Sequence, residues 1–498
     1  MQRGFQHTAL AGKITWSRLV VRLLVTLIVV QIVANLFWFT RTAHSGQLAI
    51  PWMMNNGLVL FEQILEQHAP GSSVLAALAQ RVVPLPPVLV LRIAHTLLVV
   101  ATTVVIFFVG SRLSNPSGGL LGAGFWFVSE PVFAVIFFYF DALLGLFLLL
   151  SLAAWLFLRD TGRDSVAAFL AGFLLGGATV MKQHAWAAVF LMGGWLLLTH
   201  TRGKRLQAFA WYGLGVLVLP AAVLAVVAMQ GNLENYIYWN WTFNLSGRMD
   251  AVMPDGEFFS KFLLFNAFVP AFVLMAWREH TRDRIPVALM WLAGGLTLVP
   301  RVELVHVSGL LPALAVMTGV ALSELVDIDA LRQLVRSATS NPVGAGLTLT
   351  VAAGWLVFGL APYTRNPLGP GHSLGYDEYQ PVSEQLQMLG DSGSTLFVLP
   401  ETDKTPQIHP QSGMLPSTTW IKGWRWYLTV PGMVDRLISE WQQQPPDFVV
   451  VFPDIIGAGM PEIGQLVDFV EAHYSEVAQV DRVLNHGRAV IYQFSDNE

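Results

Sequence analysis

Long apolar runs broken by short polar punctuation occupy most of the chain, and they set the first expectation. A hydrocarbon core takes about twenty apolar residues per helix, so the pattern predicts about eleven transmembrane helices. They fall at roughly 19–39, 88–110, 119–137, 140–158, 165–181, 185–199, 208–229, 260–277, 285–300, 306–325 and 343–361. The stretch from Leu23 to Phe39 follows Arg3, Lys13, Arg18 and Arg22 as a signal peptide would. It is long for one, lacks a small-residue cleavage site, and reads as a retained first helix. After about Tyr363 the period changes. Thr395 to Leu399, Phe448 to Phe452 and Ala489 to Phe494 read as strands, and Val434 to Gln443 and Ile463 to Tyr474 as helices. The expected fold class is a polytopic α-helical membrane protein with a small C-terminal α/β domain. The expected division is 1–362 for the membrane domain, with a first outer loop at 40–87, and 363–498 for the second domain. Within that loop the amphipathic run Leu58 to Leu65 predicts short helices lying along the membrane surface.

Charge orients this picture. Alternating sides from a cytoplasmic N-terminus puts Arg159, Arg163, Arg202, Lys204, Arg205, Arg278, Arg282, Arg284, Arg332 and Arg336 in inside loops. The outer loops are longer and poor in Lys and Arg, as positive-inside bias requires. The C-terminal domain is then extracytoplasmic, in a chain held in an inner or plasma membrane. Composition agrees, with 54% hydrophobic and 12% charged residues. A net charge of −4 carries no basic excess that would point to nucleic acid. Cysteine is absent, which excludes disulfides, thiolate metal sites and cysteine nucleophiles.

Against this background a few polar groups need an explanation, and they map to the outer side. Asp141 stands at the start of an apolar helix, either as a helix-dipole carboxylate or as the acidic wall of a site. Arg92, just inside the second helix, either snorkels to the interface or forks onto a lipid phosphate. Lys182, Gln183 and His184 form a tight outer turn, where a lysine suits a phosphate partner or is an ordinary loop charge. Arg301, Glu303 and His306 crowd another turn, as an internal ion pair or as an anion-binding or proton-handling set. Glu62 and Glu66 have the spacing that shares one helix face; with His68 they are a solvated face or a loose cation site. Tyr236, Tyr238, Trp239, Trp241 and Phe243 form an interfacial aromatic belt or a stacking surface for a sugar ring. Asn240-Trp241-Thr242 and Asn244-Leu245-Ser246 match glycosylation acceptors.

The order of these segments resembles a GT-C superfamily glycosyltransferase of the protein O-mannosyltransferase-like group (glycosyltransferase family 39-like). The resemblance rests on Pro51-Trp52 through Gly57, Phe61-Glu62-Gln63-Ile64, His68-Ala69-Pro70-Gly71, Leu75-Ala76-Ala77-Leu78 and Leu91-Arg92. Further along it rests on Asp141, Met181-Lys182-Gln183, Pro300-Arg301 and Leu311-Pro312. It implies transfer of a sugar from a polyprenyl-phosphate donor to a lipid, glycan or protein acceptor at the extracytoplasmic face. On that reading Glu62, Asp141 and His306 are the catalytic candidates, and Arg92, Lys182, His184 and Arg301 bind the donor phosphate. His68, Glu303, Trp239 and Trp241 contact sugar or acceptor, and a divalent cation, Mg or Mn, could sit between Glu62 and Asp141. One departure stands out: where the family carries an acidic pair in the first outer loop, this chain has Asn55-Asn56, which cannot take a proton at neutral pH. That departure leaves open a non-catalytic GT-C-like protein, and a transporter or flippase of lipid-linked sugar could use the same outer phosphate site without chemistry.

Overall fold

A computed structural model describes residues 2–39, 41–159, 161–199, 202–247, 253–278, 283–299, 301–325, 342–364, 376–391, 393–401, 405–421, 425–456, 461–481, 483 and 487–495. Pro300, Arg282, Arg332 and Arg336, which enter the expectations above, lie outside the described residues. Two compact units emerge. The first comprises 1–40, 92–223 and 251–370, and the second 41–91, 224–250 and 371–498.

The first unit is built from long apolar helices, beginning with α1 (Gln2–Val33), whose last turn opens into a wider coil at Ala34–Trp38. The helices α2 (Ser45–Asn55) and α3 (Gly71–Val82) belong to the second unit. Next come α4 (Pro87–Leu113), α5 (Pro116–Phe133), α6 (Phe140–Arg159), α7 (Asp164–Met181), α8 (Trp186–Thr199) and α9 (Arg202–Met229). The bundle continues with α10 (Gly256–Phe265), α11 (Val269–Arg278), α12 (Ile285–Gly295), α13 (Leu311–Leu325) and α14 (Pro342–Leu360). Among the described residues, six helical stretches are long and apolar enough to cross a membrane: Arg18–Trp38, Pro87–Leu113, Phe140–Arg159, Asp164–Met181, Gly203–Met229 and Gly256–Trp277. Two shorter apolar helices, Ile285–Leu298 and Leu311–Glu324, accompany them. With lipid as solvent the hydrophobic effect no longer drives helices together, so close packing has to do so. The bundle core is accordingly dense in small and aliphatic side chains, including Ala167, Ala168, Ala171, Ala313, Ala315 and Ala321.

Two glycines decide where the site forms. A Cβ on Gly145 of α6 would lie 2.9 Å from the carbonyl oxygen of Ser308 and 3.0 Å from that of Gly309. A Cβ on Gly294 of α12 would lie 2.7 Å from the Gly309 oxygen and 2.7 Å from the Leu310 Cα. Their missing side chains let the tight turns at Leu304–Gly309 settle against both helices. Thr297 holds the same segment from the other side, its hydroxyl donating to the carbonyls of Gly294 (2.7 Å) and His306 (2.9 Å).

The second unit contains a four-stranded sheet. With β1 (Ile64–Leu65), β2 (Leu396–Leu399), β3 (Trp420–Ile421), β4 (Phe448–Val451), β5 (Tyr474–Val480) and β6 (Ala489–Phe494), its order is β2-β4-β6-β5. β2 and β4 run parallel, while β4–β6 and β5–β6 are antiparallel. β2 and β4 are buried on both faces and read as unbroken apolar runs. Helices α15 (Gln380–Leu389), α16 (Met433–Gln443) and α17 (Pro461–His473) are the longest in this part of the chain among the described residues. The second strand pair, β1 against β3, ties Ile64 to Trp420 in parallel register.

That pairing corrects one expectation. Leu58 to Leu65 is not a helix. Gly57, at φ +100, leads out of α2, Phe61 takes φ 68 in a tight turn, and Ile64–Leu65 is strand. Leu60, Phe61, Ile64 and Leu65 are all buried, so the run's amphipathic look comes from a folded turn. Glu62 and Glu66 therefore share no helix face.

Candidate functional site

Three of the polar residues read from separate segments meet in the first unit. Asp141 opens α6 and is fully buried. Its Oδ1 accepts from Lys182 Nζ at 2.6 Å, and its Oδ2 lies 2.9 Å from His306 Nδ1. Lys182 Nζ and His306 Nδ1 are 3.3 Å apart. The shorter contact assigns the proton: His306 donates Nδ1–H to the carboxylate, and Lys182 directs its hydrogens to the other oxygen. His306 is then the tautomer whose Nε2 carries the lone pair, and Nε2 stands 3.8 Å from Glu303 Oε2. Arg301 donates to Glu303 at 2.6 Å, so the expected internal ion pair of that turn is present. The arrangement is an ordered row in which a neutral imidazole separates two ion pairs: Lys182 with Asp141, then His306, then Glu303 with Arg301. Burying Lys182 and Asp141 without each other would be costly, and the carboxylate offsets the ammonium while fixing the imidazole.

His184 sits beside this cluster. It donates from Nε2 to the carbonyl of Val299 at 3.0 Å, and its Nδ1 is buried with no hydrogen-bond partner. Burial first, and the neighbouring Lys182 charge second, push its pKa down to about 4. It is a neutral ring at physiological pH and adds no positive charge to the site.

Arg92 does not snorkel to the interface. It is fully buried, and its guanidinium donates to the carbonyls of Asn35 (3.4 Å), Leu36 (3.0 Å) and Phe39 (3.3 Å), where α1 opens. It thus satisfies carbonyls that the end of α1 leaves without intrahelical partners. Its charge lies 4.6 Å above the Phe137 ring.

The remaining candidates lie in the second unit. Glu62 accepts from Asn232 Nδ2 at 3.3 Å, and Glu66 is buried against the ring and backbone N–H of His68. Trp239 is buried and stacked on Tyr427 at 5.4 Å, so it is core and offers no open face to a sugar. Trp241 is exposed. Asn240 is buried, and Asn244 Nδ2 donates to the carbonyls of Gln67 and Asn240. Among the described residues no group of three or more His, Asp or Glu side chains could hold a metal ion.

Sequence reading passed over His95 and Glu130, a buried pair with His95 Nε2 3.1 Å from Glu130 Oε1. Their signal was available: His95 is one turn beyond Arg92 on the same helix, and Glu130 is an ionisable residue within an apolar run.

No curated protein matches the chain in sequence. The family model for dolichyl-phosphate-mannose-protein mannosyltransferase matches residues 67–228, well under half of the chain. Among solved structures, ArnT from Cupriavidus metallidurans bound to undecaprenyl phosphate is similar with a TM-score of 0.64 at 16% identity, covering 96% of this chain and 98% of that one. The apo oligosaccharyltransferase of Archaeoglobus fulgidus gives 0.54 at 12% identity, over 96% and 75%. The arabinofuranosyltransferase AftD from Mycobacteria gives 0.55 at 16%, over 96% of this chain and 42% of that one. All three are GT-C superfamily glycosyltransferases. The likeness establishes the fold: this chain has the GT-C fold, as its sequence motifs led one to expect.

Proposed function

We propose that this protein is an integral membrane glycosyltransferase that moves a sugar from a polyprenyl-phosphate donor to an acceptor hydroxyl on the extracytoplasmic side. The observation that carries the reading is the buried Asp141–Lys182–His306 cluster within a GT-C fold. ArnT, similar over nearly its whole length, binds undecaprenyl phosphate, which supports a lipid phosphate as the donor's carrier here.

The chemistry follows from the protonation states. His306 Nε2 accepts the proton of the acceptor hydroxyl as its oxygen bonds to the anomeric carbon. The bond from that carbon to the phosphate oxygen breaks, and its electron pair leaves with the polyprenyl phosphate. Lys182 and Arg301 supply the positive charge that stabilises the departing anion. Asp141 acts on both sides, holding the imidazole as the Nδ1–H tautomer and stabilising it once protonated. Glu303 limits how far Arg301 can turn. Glu62 remains a second candidate base in the first outer loop, where Asn55-Asn56 replaces the family's acids. Arg92, engaged with backbone carbonyls, fits a supporting role better than a phosphate contact. No step in this scheme requires a divalent cation.

The test uses the full chain in proteoliposomes with a panel of polyprenyl-phosphate pentoses and hexoses and lipid, glycan and peptide acceptors. Transfer by the wild type, and its loss by about a hundredfold or more in His306→Ala, is expected. Native mass spectrometry with undecaprenyl phosphate separates the alternatives. Binding without transfer for every donor would overturn the enzyme reading in favour of a non-catalytic protein.

A further inference from the structure

The segment that delivers Asp141 to the site, Ala134 to Tyr139, joins α5 to α6 and is held in an unusual shape. Phe138 has φ 49, in the left-handed region that a bulky side chain rarely enters. Something must hold it there. The backbone N–H of Phe138 donates to Nδ1 of His95 at 3.2 Å. A backbone amide can only donate, so Nδ1 of His95 is unprotonated and its hydrogen resides on Nε2, directed at Glu130 Oε1 3.1 Å away. Both side chains are buried. The neighbouring Phe137 is gripped by the same helix: the Arg92 guanidinium lies 4.6 Å over its ring, and the His95 ring meets it edge-on at 5.9 Å. On the other side of Phe138, Tyr139 packs on Phe140 at 4.1 Å and on the His306 imidazole at 6.0 Å. Asp141 itself follows two residues after Tyr139.

We infer that His95 is a positioning residue, which through its Nδ1 acceptor holds Phe138 in the left-handed conformation and thereby sets Tyr139 and Asp141 against His306. Glu130 acts one step behind, fixing the tautomer that leaves Nδ1 bare. The active-site carboxylate is thus placed from α4 and α5, two helices that contribute no side chain to the cluster. Its role in transfer rests on the proposed function; its role in shaping the cluster does not.

The experiment separates the two nitrogens of His95. An asparagine can put its amide oxygen where Nδ1 stands, whereas a glutamine puts its amide where Nε2 stands. The readout independent of substrate is the low-field Nδ1–H resonance of His306, assigned by its loss in His306→Asn of the full chain in detergent with labelled histidine. His95→Asn keeps that resonance, and His95→Gln shifts or abolishes it. In the transfer assay His95→Gln lowers kcat by about tenfold or more with KM little changed, and His95→Asn stays within about twofold. Should His95→Gln fold poorly, the double variant His95→Gln/Phe138→Gly, whose glycine enters the left-handed region without strain, recovers the resonance. Equal behaviour of the Asn and Gln variants in the resonance, or in the transfer assay where the wild type is active, overturns the inference. An unchanged His306 resonance in His95→Gln does so as well. A resonance that responds as predicted in a protein without transferase activity would instead leave the positioning intact and remove the proposed function.

Discussion

Asp141 and Lys182 form a buried ion pair, and the cost of breaking it can be worked from its geometry. The Nζ–Oδ1 distance is 2.6 Å, and both side chains are almost wholly withdrawn from solvent. Removing one partner of such a pair leaves a charge without its counterion and costs about 3–5 kcal/mol. Lys182→Met leaves the carboxylate with one strong donor, His306, and belongs near the lower end. Asp141→Asn does worse, because it leaves the buried Lys182 ammonium without its counterion and forces His306 to give up its Nδ1–H if the amide is to donate to it. The double variant Asp141→Asn/Lys182→Met removes both charges and restores a tolerable pocket. It should lose far less than the sum of the singles, with a coupling of about 3 kcal/mol. Equilibrium unfolding of all four proteins in one detergent at one pH measures this cycle. Strict additivity, with the double variant losing the full sum, would refute the reasoning, because it would mean that the two charges do not compensate each other.

Other consequences follow from separate parts of the molecule. Gly145→Ala places a methyl 2.9 Å from the Ser308 oxygen, so stability changes by only about 1–3 kcal/mol while His306 is displaced; the His306–Asp141 resonance and transfer should fall together. His184 is held neutral with its pKa at about 4, whereas the unfolded chain takes up a proton near 6.5. Its stabilisation is complete above that unfolded value and is lost as pH falls from there towards 4, by no more than about 3 kcal/mol, so His184→Asn should flatten the acid limb of a stability–pH curve. Trp239→Ala, which empties the stack on Tyr427, should cost about 3–5 kcal/mol, and exposed Trp241→Ala about 0.5 or less, by thermal unfolding.

The fold was legible where period and length carry the information. Of the eleven spans expected from apolar runs, six correspond, among the described residues, to helices long and apolar enough to cross a membrane, and three short β-branched and aromatic runs became β2, β4 and β6. β5 was missed because Tyr474–Val480 is exposed along most of its length and carries no strong apolar signal. Leu58 to Leu65 was misread because period alone cannot distinguish a half-buried helix from a turn whose register is fixed by a distant strand, here Trp420–Ile421. The site divides in the same way. Asp141, Lys182 and His306 stood out because ionisable groups among apolar residues demand partners, and they proved to be one another's partners. The burial of Trp239 and Arg92 was not legible, because sequence gives no sign of which side of a helix or loop becomes core. Gly145 and Gly294 were invisible for the opposite reason: their contribution is the absence of a side chain at a contact that only the folded bundle creates.

The central claim is that the Asp141–Lys182–His306 cluster performs glycosyl transfer from a lipid phosphate. Its most direct test is the rate at which polyprenyl phosphate appears from a polyprenyl-phosphate sugar in proteoliposomes, in the presence of acceptor, for the wild type beside Asp141→Asn. The account predicts steady release by the wild type and a loss of about a hundredfold or more in the variant, with undecaprenyl phosphate still bound by both. Equal release by the two proteins would contradict it.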